Sequence, residues 1–369
     1  MSSLDPAAVT LFMIPGDTQT EAKSVTLDSY PGKFDMLILF DRTGSMTFAG
    51  SHGLGAVRGN ILSIISDIQF YVPDSKFAFA FFKDYCNQTF PCVGVGCTNP
   101  GGAVFAGDAP EYSMTQDMTA TGLNIFTAMT SSPAPSGGGD AAEAQNYVWN
   151  KAYTDTAISW RTDSRKFVMM ASDSEPHGAG TDGITGCTDT SVDPHSMSAV
   201  TELAALNTNH RSLIMLLQDI VPTTTTTITA YHSLADLAYP GGDAFSIDNA
   251  TIETDVVNTV LNAFGTIADV HLEFVSASPS PASSTWVTLP SPITSVTAPG
   301  THSLGSVSIT MPIGTPTNTY TIVLKAVADG VDIGEQTITI SPPLPDPATL
   351  PGKLGYYKDS SWHLIEDYA

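Results

Sequence analysis

Between Phe34 and Gly265 the chain alternates between short continuous apolar runs and stretches with helical spacing. The apolar runs are LILF, KFAFAFF, KFVMMAS and RSLIMLL. The helical stretches are HGLGAVRGNILSIISDIQFYV, DAAEAQNYVWNKAY, SMSAVTELAALN, AYHSLADLA and ETDVVNTVLNAF. A strand that is apolar at every position has both faces buried, and strands separated by helices pair in parallel through crossovers. The pattern predicts a Rossmann-like α/β unit, a parallel sheet with helices on both faces. DAAEAQNYVWNKAY is expected to open its helix on Asp140 and Glu143, acids that suit a positive N-terminus.

On either side of this unit the period drops to two. HLEFVSA, STWVTL, GSVSITM, TYTIVLKAVA and EQTITI follow it, with Pro, Gly and Ser between them, and AVTLFMI and AKSVTL precede it around the turn PGDTQ. Short alternating strands of this kind predict an immunoglobulin-like β-sandwich. The economical arrangement is one sandwich with the α/β unit inserted into it. Residues 1–33 supply its N-terminal strands, 34–267 the α/β unit, 268–342 the remaining strands, and 343–369 a stiff Pro-rich linker with an aromatic tail.

Acids outnumber bases 37 to 14, a formal charge of −23, which argues against nucleic acid and anionic membrane as partners. No apolar run approaches the roughly 18 residues of a membrane span. The first residues lack a basic region ahead of an apolar core, so no signal peptide is expected. The four cysteines lack the CxxC pairs of a zinc site. CVGVGC makes a small loop that a Cys92–Cys97 disulfide would close, with free thiols the alternative. Cys86 and Cys187 leave the same sheet edge, and their pairing stays open.

The stretch LILFDRTGSM shows where chemistry belongs. A buried strand ends, and Asp41, Thr43 and Ser45 follow at alternate positions, all hard oxygen donors. Open α/β sheets bind ligands at that end of their strands. SGGGDAAEA adds Glu143 beside three glycines, and Asp173 follows KFVMMAS. Asp41, Thr43, Ser45, Glu143 and Asp173 form an all-oxygen set suited to a small divalent cation.

DRTGSM resembles the DxSxS motif of von Willebrand factor A domains. The wider order of segments resembles the head of integrin β subunits, an I-like domain inserted in a hybrid domain. The likeness runs over about residues 7–342, from the strand and turn VTLFMIPGD, through KFAFAFFKDYCNQTFPCVGVGCT and SGGGDAAEAQ, to KFVMMASDSEPHGAGTDG. It implies a metal-ion-dependent adhesion site at Asp41, Thr43, Ser45, Glu143 and Asp173, holding Mg²⁺ or Mn²⁺, with Thr43 in place of the usual Ser. It also implies a neighbouring Ca²⁺ site at Asp84, Asp140, the Ala142 carbonyl and Glu143. Gly138 and Ala142 depart from that second pattern. Thr47, Phe48 and Ala49 remove the acids of a third, inhibitory site. The loop around Cys92 and Cys97 matches the family's disulfide-closed specificity loop. His177 and His195 are expected as loop residues rather than ligands.

An enzyme reading finds no support, since a DxDxT phosphatase needs a carboxylate where Thr43 stands. No P-loop GK[ST] and no GxSxG elbow occur either. The expected function is metal-dependent adhesion or receptor binding, in which the ion takes an Asp or Glu carboxylate of a protein partner. Other subunits of a larger assembly are further candidate partners. The expected location is a virion or other extracellular surface. The competing expectation is a structural component of such an assembly, its metal serving only to stiffen loops.

Overall fold

The computed structural model describes residues 3–28, 33–46, 54–85, 110–135, 142–218, 227–247 and 250–343, together with the backbone of 354–358 and 361–365. Three strands open the chain: β1 (Ser3–Asp5), β2 (Ala8–Phe12) and β3 (Thr18–Leu27). The α/β unit follows as β4 (Phe34–Asp41), α1 (Leu54–Tyr71), β5 (Ser75–Phe82), β6 (Tyr112–Thr119), α2 (Gly122–Ser131), β7 (Ala142–Glu143), α3 (Gln145–Thr154), β8 (Arg165–Ser172), β9 (Glu175–Pro176), α4 (Ala199–Thr208), β10 (Arg211–Leu217), α5 (Ile228–Leu237), β11 (Tyr239–Ser246) and α6 (Ile252–Gly265). Strands then return as β12 (Thr266–Ser278), β13 (Val287–Thr288), β14 (Ile293–Thr297), β15 (Gly300–Thr310), β16 (Tyr320–Ala328) and β17 (Val331–Ser341), with β18 (Leu354–Lys358) and β19 (Ser361–Ile365) pairing as a hairpin near the end.

The six-stranded sheet runs β11-β10-β8-β4-β5-β6. All its pairings are parallel except that of the edge strand β6. β4 is buried at every position, and its side chains alternate between two cores. Phe34, Met36, Ile38 and Phe40 pack under α1, α2 and α6, while Leu37 and Leu39 pack under α3, α4 and α5. That double burial is why the strand reads as an unbroken apolar run. In α1 the buried Val57, Ile61, Ile64, Ile65 and Ile68 fall on one helical face. Ser198 and Thr227 cap α4 and α5, their side chains accepting the amides of Thr201 and Ala230.

Strands β1–β3 and β12–β17 form two further sheets, β1-β3-β15-β13 and β14-β12-β16-β17-β2, which contribute to one shared core. β3 pairs antiparallel with β15 from Thr18 to Leu27, and β2 runs parallel to β17. Strands from both ends of the sequence therefore meet around that core.

One turn joins the β core to the α/β unit. Asp329 and Gly330 link β16 to β17 with φ of 48° and 77°, the sign a two-residue hairpin turn demands. Asp329 is buried against the start of β8, where its Oδ2 lies 2.9 Å from Nη1 of the equally buried Arg165. Its Oδ1 accepts the amides of Ala268 (2.9 Å) and Asp269 (3.0 Å) and the Tyr239 hydroxyl. Arg165 also donates to the Pro240 carbonyl at 2.6 Å and lies over the Tyr239 ring.

Candidate metal centre

The sheet order reverses between β4 and β8: from β4 the chain continues through α1 to β5 on one side, while β8 lies on the other. The crevice beyond the carboxyl ends of such a pair is where open α/β sheets hold ligands. Asp41 is the last residue of β4 and Asp173 follows the last residue of β8. Glu143 arrives differently from the sequence expectation. It precedes α3 rather than opening it, and sits in β7, which pairs in parallel with β9 so that Glu143 stands opposite Pro176. Since β9 begins two residues after Asp173, that short ladder carries Glu143 to the crevice.

Ligand atoms of Asp41, Glu143 and Asp173 lie within 4.8 Å of one another, and all three residues are buried. Asp41 Oδ1 accepts the Thr43 amide at 2.8 Å and the Thr43 hydroxyl at 2.6 Å. The Thr43 and Ser45 hydroxyls are 3.2 Å apart, and Ser45 donates to Asp173 Oδ1 at 3.1 Å. The five oxygen-bearing side chains expected at this edge are thus gathered in one place.

The arrangement is electrostatically costly by itself. Burial, reinforced by the Asp173 charge, pushes the Asp41 carboxyl well above the usual carboxylate range. Burial does the same to Asp173. Asp173 Oδ2 is buried with no hydrogen-bond partner among the described residues. A cation bound among these oxygens would reverse the repulsion and occupy that orphaned atom. The donor set therefore fits a hard divalent cation, with Asp41, Thr43, Ser45, Glu143 and Asp173 as the residues able to hold it.

Of the second expected set, Asp84, Ala142 and Glu143 are among the described residues. Asp84 does not join the group of three acids; its Oδ1 accepts the Tyr85 amide at 2.7 Å and lies 3.4 Å from His177 Nε2. His177 is buried, its Nδ1 2.8 Å from the Ser191 hydroxyl. His195 meets Glu111 Oε2 at 3.0 Å and stacks on Tyr147. Ala142 lies in β7 beside Glu143. Asp140, Gly138, Thr47, Phe48, Ala49, Cys86, Cys92 and Cys97 lie outside the described residues. Cys187 has no disulfide partner among the described residues, and its thiol is pushed up to about 12 by burial and then by Glu175 and Asp189.

Sequence reasoning missed the residues behind the ligands. Ser172 donates to Asp41 Oδ2 at 2.6 Å, Gln145 donates to Ser172, and Gln218 donates to the Ser45 carbonyl at 3.1 Å. The one available signal was a hydroxyl closing the apolar run KFVMMAS directly before Asp173.

No family model matches the chain, and no curated protein matches it. Among solved structures it is similar to the SpRpn10 VWA domain, at 11% identity and a TM-score of 0.35, covering 61% of this chain and 94% of that one. It is also similar to proximal thread matrix protein 1 from the mussel byssus (14%, TM-score 0.37, 66% of this chain and 48% of that one). A third is the pilus adhesin SpaC from Lactobacillus rhamnosus GG (14%, TM-score 0.39, 94% of this chain and 51% of that one). The chain spans about half the length of the mussel and pilus proteins. At these scores none of the three bears on function, and the site's own geometry has to carry it. No helix among the described residues is long and apolar enough to cross a membrane.

Proposed function

We propose that this chain is a metal-dependent adhesion or receptor-binding protein of the von Willebrand factor A type, arranged like an integrin β head with its α/β unit inserted in an immunoglobulin-like sandwich. The reading rests on one observation above all: three buried carboxylates converge at the sheet's switch point and leave Asp173 Oδ2 without a hydrogen-bond partner among the described residues. Mg²⁺ or Mn²⁺ bound there would polarise an acidic group brought to it. Thr43 and Ser45 contribute neutral oxygens, and a coordination position left open on the ion takes an Asp or Glu carboxylate of a protein partner. A Ca²⁺ ion near Asp84, Asp140, Ala142 and Glu143 belongs to the same reading, as do a disulfide between Cys92 and Cys97 and a place on a virion or other extracellular surface.

The role is that of a binding module rather than an enzyme. The partner's carboxylate is held, and no bond is broken. The formal charge of −23 repels acidic partners at long range, but salt screens that beyond about 8 Å. Attraction therefore depends on the ion. EDTA should abolish binding to the native partner or host surface, and Mg²⁺ or Mn²⁺ should restore it. Asp41→Ala should lose binding while remaining folded by circular dichroism. Full binding by folded Asp41→Ala in EDTA would instead leave the metal a loop stiffener in a structural component.

A further inference from the structure

We propose that Ser172 is the positioning residue of the metal centre, its hydroxyl fixing the Asp41 carboxylate while Gln145, which shares the Ser174 carbonyl with Tyr231, fixes the hydroxyl. This inference rests on the metal-binding reading above. Asp41 offers two oxygens, and Thr43 already places two donors on Oδ1. Oδ2 receives the Ser172 hydroxyl at 2.6 Å. A serine hydroxyl has a single proton, and here its direction is imposed. Gln145 Nε2 donates to Ser172 Oγ at 3.0 Å, so that oxygen accepts on the Gln145 side and aims its proton at Asp41.

Gln145 is itself held in one orientation. Its second N–H donates to the Ser174 carbonyl at 2.7 Å, and a flipped amide would set oxygen against oxygen there. The Tyr231 hydroxyl donates to the same carbonyl at 2.9 Å and stays protonated, because full burial drives its pKa well above the ordinary tyrosine value. Gln145, Ser172 and Tyr231 are wholly buried and come from α3, β8 and α5. The Gln218 amide, accepted by the Ser172 carbonyl at 3.0 Å, pins the end of the strand that carries the hydroxyl. A carboxylate anchored at both oxygens presents its remaining lone pairs to an ion in one direction. Without Ser172, Oδ2 loses the donor that holds it, and the carboxyl is free to swing.

Groups of this kind behind a metal ligand are worth about 10–100-fold in affinity. The test is Mn²⁺ titration of the full chain, reading free Mn²⁺ by electron paramagnetic resonance, for wild type, Ser172→Ala and Ser172→Thr. Metal-free thermal unfolding of each shows that it is folded. Wild type should bind, Ser172→Ala should bind about 10–100-fold more weakly, and Ser172→Thr, which keeps the hydroxyl, should stay within about threefold of wild type. A purely structural role would lower the metal-free melting temperature and leave the Mn²⁺ affinity of Ser172→Ala unchanged, which overturns the proposal. Should Ser172→Ala not fold, Gln145→Leu decides. It keeps the hydroxyl but frees its proton to turn away, and unchanged affinity refutes the positioning role. Wild type that fails to bind Mn²⁺ overturns the metal reading itself and is told apart by that alone.

Discussion

Asp329→Asn tests how firmly the β core grips the α/β unit. The substitution keeps the size of the side chain and tolerates the positive φ at this turn. It leaves an oxygen able to accept the Ala268 and Asp269 amides, but removes the charge facing Arg165. Arg165 and Asp329 are 2% and 5% exposed, so the guanidinium cannot turn to water. Removing one partner of a buried ion pair costs about 3–5 kcal/mol, because the other charge is stranded. Arg165 retains the Pro240 carbonyl and the Tyr239 ring, which places the expected loss near the lower end, about 3 kcal/mol. Urea unfolding is followed through Trp149 in the α/β core and Trp286 in the β core, the other tryptophans being replaced by Phe. Both probes should shift to lower urea together, and a double-mutant cycle with Arg165→Met should return a coupling of at least about 1 kcal/mol. A loss below about 1 kcal/mol with no coupling would refute the reasoning, and so would a shift of one tryptophan alone.

The metal-free protein should lose stability as pH rises from the ordinary carboxylate range toward neutrality. Folding raises the Asp41 and Asp173 pKa values, so the folded state holds more protons than the unfolded one across that window; melting scans from pH 4.5 to 8 should show the fall, and saturating Mg²⁺ should flatten it. Asp173→Asn should melt higher than wild type in EDTA at pH 7.5 and show no further rise with Mg²⁺. Lys23 is buried on β3, its ammonium lacking a hydrogen-bond partner among the described residues, and burial lowers its pKa to about 8. Its folded pKa lies below the unfolded one, so wild-type stability should climb as pH rises from about 8 to about 10.5. Lys23→Met should remove that climb and stabilise the protein at pH 7 by about 1–3 kcal/mol in chemical denaturation.

The elements legible in the sequence were those whose burial is periodic. β4, β5, β8 and β10 are covered on both faces and read as apolar runs, while α1 and α6 carry their buried residues at helical spacing. β6 was not legible. It is an antiparallel edge strand, YSMTQDMT, half exposed along its length and without a clean alternation. Asp41, Thr43 and Ser45 stood out because they are close in the chain and follow an apolar strand. Glu143 is legible as a candidate ligand, but its expected place at a helix opening differs from the structure because nothing local reveals a two-residue ladder with β9. Ser172, Gln145 and Tyr231 were invisible as a group for the same reason: they meet only once β8, α3 and α5 have packed. The Asp329–Gly330 pair announces a turn in any sequence, but its grip on Arg165 depends on contacts 164 positions apart.

The strand β8 begins at Arg165, against the β core, and ends at Ser172, beside the carboxylates. Its neighbour β4 likewise runs from the side of the β core to Asp41. A pull delivered through the ion and resisted by the β core would therefore load both strands lengthwise, over about 26 Å for eight residues. The hydrogen bonds of β4 to β5 and to β8 lie across that direction, so they bear such a load together in shear rather than opening one after another like a zipper. The covalent links from β3 into β4 and from α6 into β12 return the force to the β core at two points. Under such a pull the centre of the sheet would act as a tension rod.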